Sequence, residues 1–328
     1  MNGRQEHTPH PYPGAVADVG EFGLIDRITR TLGPQPALVL LGPGDDAAVV
    51  AAPGGSVVAS TDLLVEGRHF RFDWSSPYEV GRKAAAQNLA DIAAMGAVGT
   101  ALLVGLAARP ALPLTVADGL VTGLRDEAAS VGAAVVGGDV VAADSVVLAV
   151  TALGDLQGRP PVTRAGARPG DRVVVAGRLG CSAAGMRLIE SGDRDSPLAA
   201  LHRCPDPPYA MGPELARAGA TAMIDVSDGV VADLGHVAQA SGARIVLDVG
   251  AFAAAYAVDP VTLADVLGGG EDHALAATVP PGSPLPAGCV EVGEVQALGE
   301  GQQARVVDRH TGDVLEVAGF DHFGGDLA

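Results

Sequence analysis

Carboxylates set among glycines recur through this chain and carry most of the chemistry it could do. They fall in Gly44-Asp45-Asp46-Ala47, Ser60-Thr61-Asp62, Asn88-Leu89-Ala90-Asp91, Gly137-Gly138-Asp139, Asp225-Val226-Ser227-Asp228-Gly229 and Gly269-Gly270-Glu271-Asp272. Glycine lets a backbone approach a ligand closely, and carboxylate oxygens are hard ligands that suit Mg²⁺ better than they suit a bare phosphate. The pattern reads as a nucleotide site assembled on metal ions. A Walker A loop would need Gly-Lys-Ser/Thr, but the only lysine, Lys83, follows Gly81-Arg82 inside an expected helix, which excludes P-loop chemistry. Gly177-Arg178-Leu179-Gly180-Cys181-Ser182 looks like a dinucleotide turn, yet its third glycine is misplaced and Ser182 suffices as a helix N-cap.

Plainer uses compete at several of these positions. Gly44-Asp45-Asp46 equally fits a turn, because Asp and Gly are common turn residues, and Ser60-Thr61-Asp62 equally fits a strand end capping the next loop. Asp225 and Asp228 flank Ser227 where a strand opens into a helix, so helix capping serves them as well as ligation does. Asp91 is harder to place this way. It lies amid Leu89, Ala90, Ile92, Ala93, Ala94 and Met95, where a lone buried carboxylate would be costly, so it needs a partner, and a metal suits it.

These residues must be positioned by alternating helices and strands. Phe22, Leu24, Ile25, Ile28 and Leu32 have helical spacing, while Ala37–Leu41 and Ser56–Ser60 read as strands around the Gly42-Pro43-Gly44 turn. A long helix is expected from Pro77 to Met95, since Pro is welcome in a first turn, and on it Asn88 and Asp91 share a face. Further strands are expected at 99–106, 133–136, 145–153, 171–176, 244–248, 274–278 and 290–295, with helices near 116–130, 182–190, 213–218 and 228–241. The Gly-, Pro- and Arg-rich segment Gly154–Gly170 is the best linker. The expected organisation is a flexible tail over 1–17, a first domain over 18–155 and a second over 156–328. Neither half shows a clean right-handed βαβ series, so the fold class is α+β, with two mixed α/β domains.

Composition narrows the reading. At 328 residues the chain exceeds the usual size of one core, and 48% hydrophobic residues are ample for two. A formal net charge of −18 repels polyanions, so nucleic acid and anionic membrane surfaces are poor partners and a phosphate substrate must arrive with cations. Cys181, Cys204 and Cys289 are odd in number and widely spaced, which suggests neither a disulfide framework nor a zinc site and fits a reducing cytoplasm. The first residues lack the apolar core of a secretory signal, and the most apolar stretch, Gly96–Ala108, is too short to span a bilayer.

Taken in order, the motifs resemble the AIR-synthase superfamily of ATP-dependent enzymes and, within it, the thiamine-monophosphate kinase family. The resemblance runs from Gly20-Glu21-Phe22 to Phe320-Asp321-His322-Phe323, and its most specific pieces are Gly44–Ala47, Ser60–Phe70, Asn88–Ala97 and Ile224–Gly229. It implies a homodimer whose N-terminal domains pair into a shared β-barrel, with ATP and thiamine monophosphate lying between that domain and the C-terminal one. It implies that Asp46, Ser60, Thr61, Asp62, Asp91, Asp139, Asp225 and Asp228 hold Mg²⁺ directly or through water, Asp62, Asp91 and Asp228 being the catalytic ones. Gly138, Asp139, Arg164 and Ser227 would meet ATP, and His69, Glu271 and Phe320 would meet thiamine monophosphate. Ala165 stands where the family often has Ser, and His273 where it often has Tyr, which touches local substrate contacts rather than the reaction.

Charge supports this assignment. ATP brings about four negative charges, a phosphate monoester nearly two, and the six aspartates about six more, a total that cannot be assembled without several divalent ions. Two other readings stay open: another ATP-using member of the superfamily, or a catalytically silent nucleotide-binding relative. Val65-Glu66-Gly67-Arg68-His69-Phe70 favours the thiamine branch, and no early Cys-Gly pair of the selenium branch is present.

Overall fold

The protein is described here by a computed structural model covering residues 15–41 and 49–316. Its first half contains α1 (Val16–Leu32), β1 (Val39–Leu41), β2 (Val49–Val50), β3 (Val57–Val65), α2 (Pro77–Ala94), β4 (Val98–Ala108), α3 (Leu114–Ser130), β5 (Ala134–Ala142) and β6 (Val147–Asp155). β3, β6, β4 and β5 form one sheet in that order, antiparallel except for the β4–β5 pair. α1 begins within the stretch expected to be a tail: Ala15 is buried, and the Val16 amide donates to the Leu112 carbonyl at 2.9 Å. The rest of that tail lies outside the described residues.

Local sequence explains the long central helix. Ser76 accepts from the Glu79 amide, Glu79 reaches back to the Ser76 amide at 2.8 Å, and Pro77 occupies the first turn. Apolar residues then recur on a face that buries Val80, Ala84, Ala85, Leu89 and Ile92 against Leu102, Leu148 and Val150 of the sheet. The neighbouring face carries Ala93 and Ala94 into a different cluster, with Val174, Met223 and Leu275 of the second half. α2 is thus shared between the two halves.

The first sheet obeys a period of two. In β3 the odd positions Val57, Ala59, Thr61 and Leu63 are exposed, while Ser60, Asp62 and Leu64 turn toward the helices. Val39 and Val50 of the small β1–β2 sheet cover one end of the outer face, over Ala101, Val136 and Leu153. Beyond that cover, Leu63, Leu103 and Val141 remain exposed, Leu63 by 54%.

The second half contains β7 (Arg172–Ala176), α4 (Cys181–Ser191), α5 (Pro197–Arg203), α6 (Met211–Arg217), β8 (Ala222–Val226), α7 (Val230–Ser241), β9 (Arg244–Leu247), α8 (Val249–Tyr256), α9 (Leu263–Gly268), β10 (Ala274–Val279), β11 (Cys289–Gln296) and β12 (Val306–Asp308). The strand order is β12-β9-β11-β7-β10-β8, with only the β12–β9 pair parallel. Both faces of its centre are covered, so the strands read as continuous apolar runs. Val173, Val175, Ile224, Val226, Ala274 and Ala276 enter one core with α7, whereas Val174, Ala176, Met223, Leu275 and Ala277 enter the core shared with α2. The same alternation turns Asp225, which lies opposite Leu275, to the α2 side.

The mixed antiparallel and parallel sheets bear out the α+β reading, and the expected elements are present. β3 runs on to Val65 and β5 to Ala142, beyond the expected ends, and the short helices α5, α8 and α9 were not foreseen. Among the described residues no helix is long and apolar enough to cross a membrane.

Candidate active site

Three elements bring carboxylates to the junction of the halves. Asp62 comes from the helix-facing row of β3, Asp91 from the end of α2, and Asp225 from the α2-facing row of β8. Ser60 donates to Asp91 Oδ2 at 2.5 Å, and Asn88, fully buried one turn earlier on α2, accepts from the Asp62 amide at 3.0 Å through Oδ1. The Asn88 amide group is oriented in turn by its bond to the Ala84 carbonyl at 2.9 Å. Burial pushes the Asp91 carboxyl up to about 7; the negative charges of Asp225 and Asp62 add to this, and the Ser60 hydroxyl opposes it.

Asp225 has a basic neighbour. His273 Nδ1 lies 3.2 Å from Asp225 Oδ2, and although burial disfavours the imidazolium, Asp225 and then Glu271 and Asp91 raise its pKa above the ordinary value. His273 therefore links the acidic crevice to the loop after α9. In that loop Glu271 and His273 both adopt positive φ, 61° and 52°, a conformation costly for residues with a Cβ. The surroundings enforce it: the Glu271 amide donates to the Ser227 carbonyl at 2.8 Å, and the His273 amide to the Val226 carbonyl at 3.0 Å.

Asp228 lies beside the crevice at the entry to α7, where its amide donates to Asp233 Oδ2 at 3.1 Å, as does that of Gly229. Burial, then the charge of Asp225, pushes Asp233 up to about 7. Asp272, from the same loop as Glu271, accepts from the Ser182 amide at 2.8 Å, while its Oδ2 is buried with no hydrogen-bond partner among the described residues. The turn that resembles a dinucleotide loop thus presents its helix N-terminus to a carboxylate of the chain itself. Ser182 Oγ in turn contacts His202 Nδ1 at 3.0 Å, and burial lowers the His202 pKa to about 4.

The substrate-side residues come from both halves. After β3 the chain turns back so that His69 Nδ1 accepts from the Val65 amide at 2.9 Å, which leaves the ring proton on Nε2. Glu271 is half-buried and faces this loop through Lys83, whose Nζ lies 3.1 Å from Glu271 Oε2 and 3.3 Å from the His69 carbonyl.

Ser60, Asp62, Asp91, Asp225, Ser227, Asp228, His69 and Glu271 gather around the junction between the halves. Thr61 and Asp139 do not join them: both are exposed, and Asp139 is level with Gly105, Ala149 and Leu63 in the outer row of the sheet. Gly138 packs tightly here, since an added Cβ would lie 1.8 Å from the Val104 carbonyl oxygen. Arg164 is exposed, its carbonyl accepting from Ser241 Oγ at 3.0 Å. Asp46 and Phe320 lie outside the described residues. Asp233 and His202 escaped the sequence reading, which also gave Lys83 and Asp272 no part in the site; the signal that could have found them was their burial as polar residues, which spacing alone does not reveal.

Comparison with known proteins agrees with this fold. Residues 44–156 match the AIR synthase related protein N-terminal domain, and residues 168–304 match the AIR synthase related protein C-terminal domain. Fold and site together define a two-domain AIR-synthase-related protein. A thiamine-monophosphate kinase of Mycobacterium tuberculosis is 49% identical over 302 residues, covering 89% of each chain. The crystal structure of thiamine-monophosphate kinase from Stenotrophomonas maltophilia K279a superposes with a TM-score of 0.73 at 30% identity, over 89% of this chain and 96% of that one. A solved structure described as AaThiL complexed with AMPPCP and TMP gives a TM-score of 0.73 at 30% identity, over 93% and 98% of the two chains. The chain belongs to the thiamine-monophosphate kinase family.

Proposed function

We propose that this protein transfers the γ-phosphoryl group of ATP directly to the phosphate of thiamine monophosphate, giving thiamine diphosphate and ADP. The observation that carries the reading is the meeting of Asp62 and Asp91 from one half with Asp225 from the other, where burial, and after it the charges of Asp225 and Asp62, pushes the Asp91 carboxyl up to about 7. Such a crevice needs cations.

The residues fit Mg²⁺. Their donors are hard oxygens, and among the described residues no group of three or more His, Cys, Asp or Glu side chains is gathered to hold a metal alone. Mg²⁺ is a hard cation that takes one or two carboxylates and completes its shell with water and substrate phosphates. Asp62, Asp91, Asp225 and Asp228 would hold the ions beside Ser60. Bound Mg²⁺ would neutralise the phosphates and polarise the group being transferred.

The chain's own contribution is placement. Ser60 holds the Asp91 carboxylate, Asn88 holds the Asp62 main chain, the β8 register fixes Asp225, and the loop carrying Glu271 closes beside them. An acceptor phosphate with a second pKa near 6 is already largely ionised at neutral pH, so no general base is required and the aspartates serve as ligands. No phospho-enzyme forms. His69 and Glu271 approach from the two sides to contact thiamine monophosphate.

The exposed outer face of the first sheet, with Leu63, Leu103 and Val141, supports a dimer formed by pairing two such sheets into a barrel. The three free cysteines support an enzyme of a reducing cytoplasm.

Mass spectrometry of the product tests the reading. Thiamine monophosphate with ATP and Mg²⁺ should yield thiamine diphosphate and ADP, and free thiamine should remain unphosphorylated. Comparable phosphorylation of free thiamine would refute it.

A further inference from the structure

Lys83 is the only lysine of the chain, every other one of its 21 basic residues being arginine. It is 3% exposed, on the α2 face turned toward the second half. A buried ammonium is expensive unless its protons are used, and here two acceptors from different halves receive it: Glu271 Oε2 at 3.1 Å and the His69 main-chain carbonyl at 3.3 Å. Arginine would bring a wide planar fork, whereas lysine offers a compact charge that reaches both acceptors at the end of a slender stem. Glu271 is at the same time held at a positive φ and lies 3.6 Å from His202 Nδ1.

We propose that Lys83 is a positioning residue that locks Glu271 of the second half and the His69 loop of the first half into one frame around the acceptor substrate. The inference rests on the proposed function and adds to it. His69 and Glu271 can grip one small molecule only if their separation is defined, and Lys83 touches both segments. It would set the affinity for thiamine monophosphate without contacting ATP or the transferred phosphoryl group.

The test compares Lys83→Met, which keeps the length of the stem and removes the charge, with Glu271→Gln and the double variant, in steady-state kinetics after circular dichroism has confirmed folding. Lys83→Met should raise KM for thiamine monophosphate about tenfold and leave KM for ATP within about twofold, because one contact to the acceptor side is lost. The double variant should be no worse than the poorer single variant, since both remove the same interaction. An unchanged KM for thiamine monophosphate, equal rises in both KM values, or losses that multiply in the double variant would each overturn the inference. Should Lys83→Met not fold, the double variant, which leaves no buried charge unpaired, is compared with Glu271→Gln alone: equal KM values support the inference, and a further tenfold rise overturns it. An inactive wild-type enzyme would overturn the proposed function and this inference together, whereas an active wild type with an indifferent Lys83→Met overturns the inference alone.

Discussion

At the scale of single residues, the meaning of Asp91 lies in a conflict. Burial and two neighbouring carboxylates favour its protonated form, with a pKa of about 7, yet a ligand for Mg²⁺ must be ionised. Cations and protons therefore compete for it. The carboxylate is present above that pKa and is lost below it, so the Mg²⁺ concentration for half-maximal activity should rise as pH is lowered from about 8 to about 6. Mg²⁺ titrations of the reaction at several pH values measure this, and a midpoint that does not move would remove Asp91 from the metal site. Asp91→Asn should lower kcat at saturating Mg²⁺ by roughly 100-fold or more, because charge on the transferring phosphoryl group goes uncompensated. A folded Asp91→Asn enzyme with wild-type kcat would show that this carboxylate is no catalytic ligand. Much of the residue-level site was legible in sequence because acidic residues beside glycines, or inside an apolar helix, have few cheap explanations. The division of Ser60 and Asp62 from Thr61 was not, because it depends on which row of β3 faces the helices.

At the scale of elements, the close crossing of α2 and α3 sets where the helix carrying Asp91 lies. An added Cβ at Gly81 would lie 2.1 Å from the Leu120 carbonyl oxygen, and one at Gly123 would lie 2.1 Å from that of Tyr78, so the two backbones touch. Gly81→Val must push the helices apart and should cost about 3 kcal/mol, read as a large fall in Tm. Gly235 in α7 has open space around its Cβ position, and Gly235→Ala should instead stabilise by about 1 kcal/mol through helix propensity. Equal effects of the two substitutions would contradict the packing argument. α2 was readable to within a residue because Ser76, Pro77 and Glu79 mark its start unambiguously. The helices α5, α8 and α9, only six to eight residues long, show too few turns for a period to stand out, and tertiary contacts decide them.

At the scale of the whole molecule, the outer face of the first sheet asks for a partner. Light scattering should report about twice 32.7 kDa, and a fully active monomer at micromolar concentration would refute the dimer. The position of α2 has a further consequence, for cooperativity. One flank of this helix completes the core under the first sheet and another completes the core beneath β7, β8 and β10, so neither half can melt without stripping cover from the other. Domains joined only by a linker unfold one after the other, but these two should lose structure together. Scanning calorimetry should show a single heat-absorption peak, and cutting the chain between residues 157 and 170 should leave the fragments associated until that same temperature.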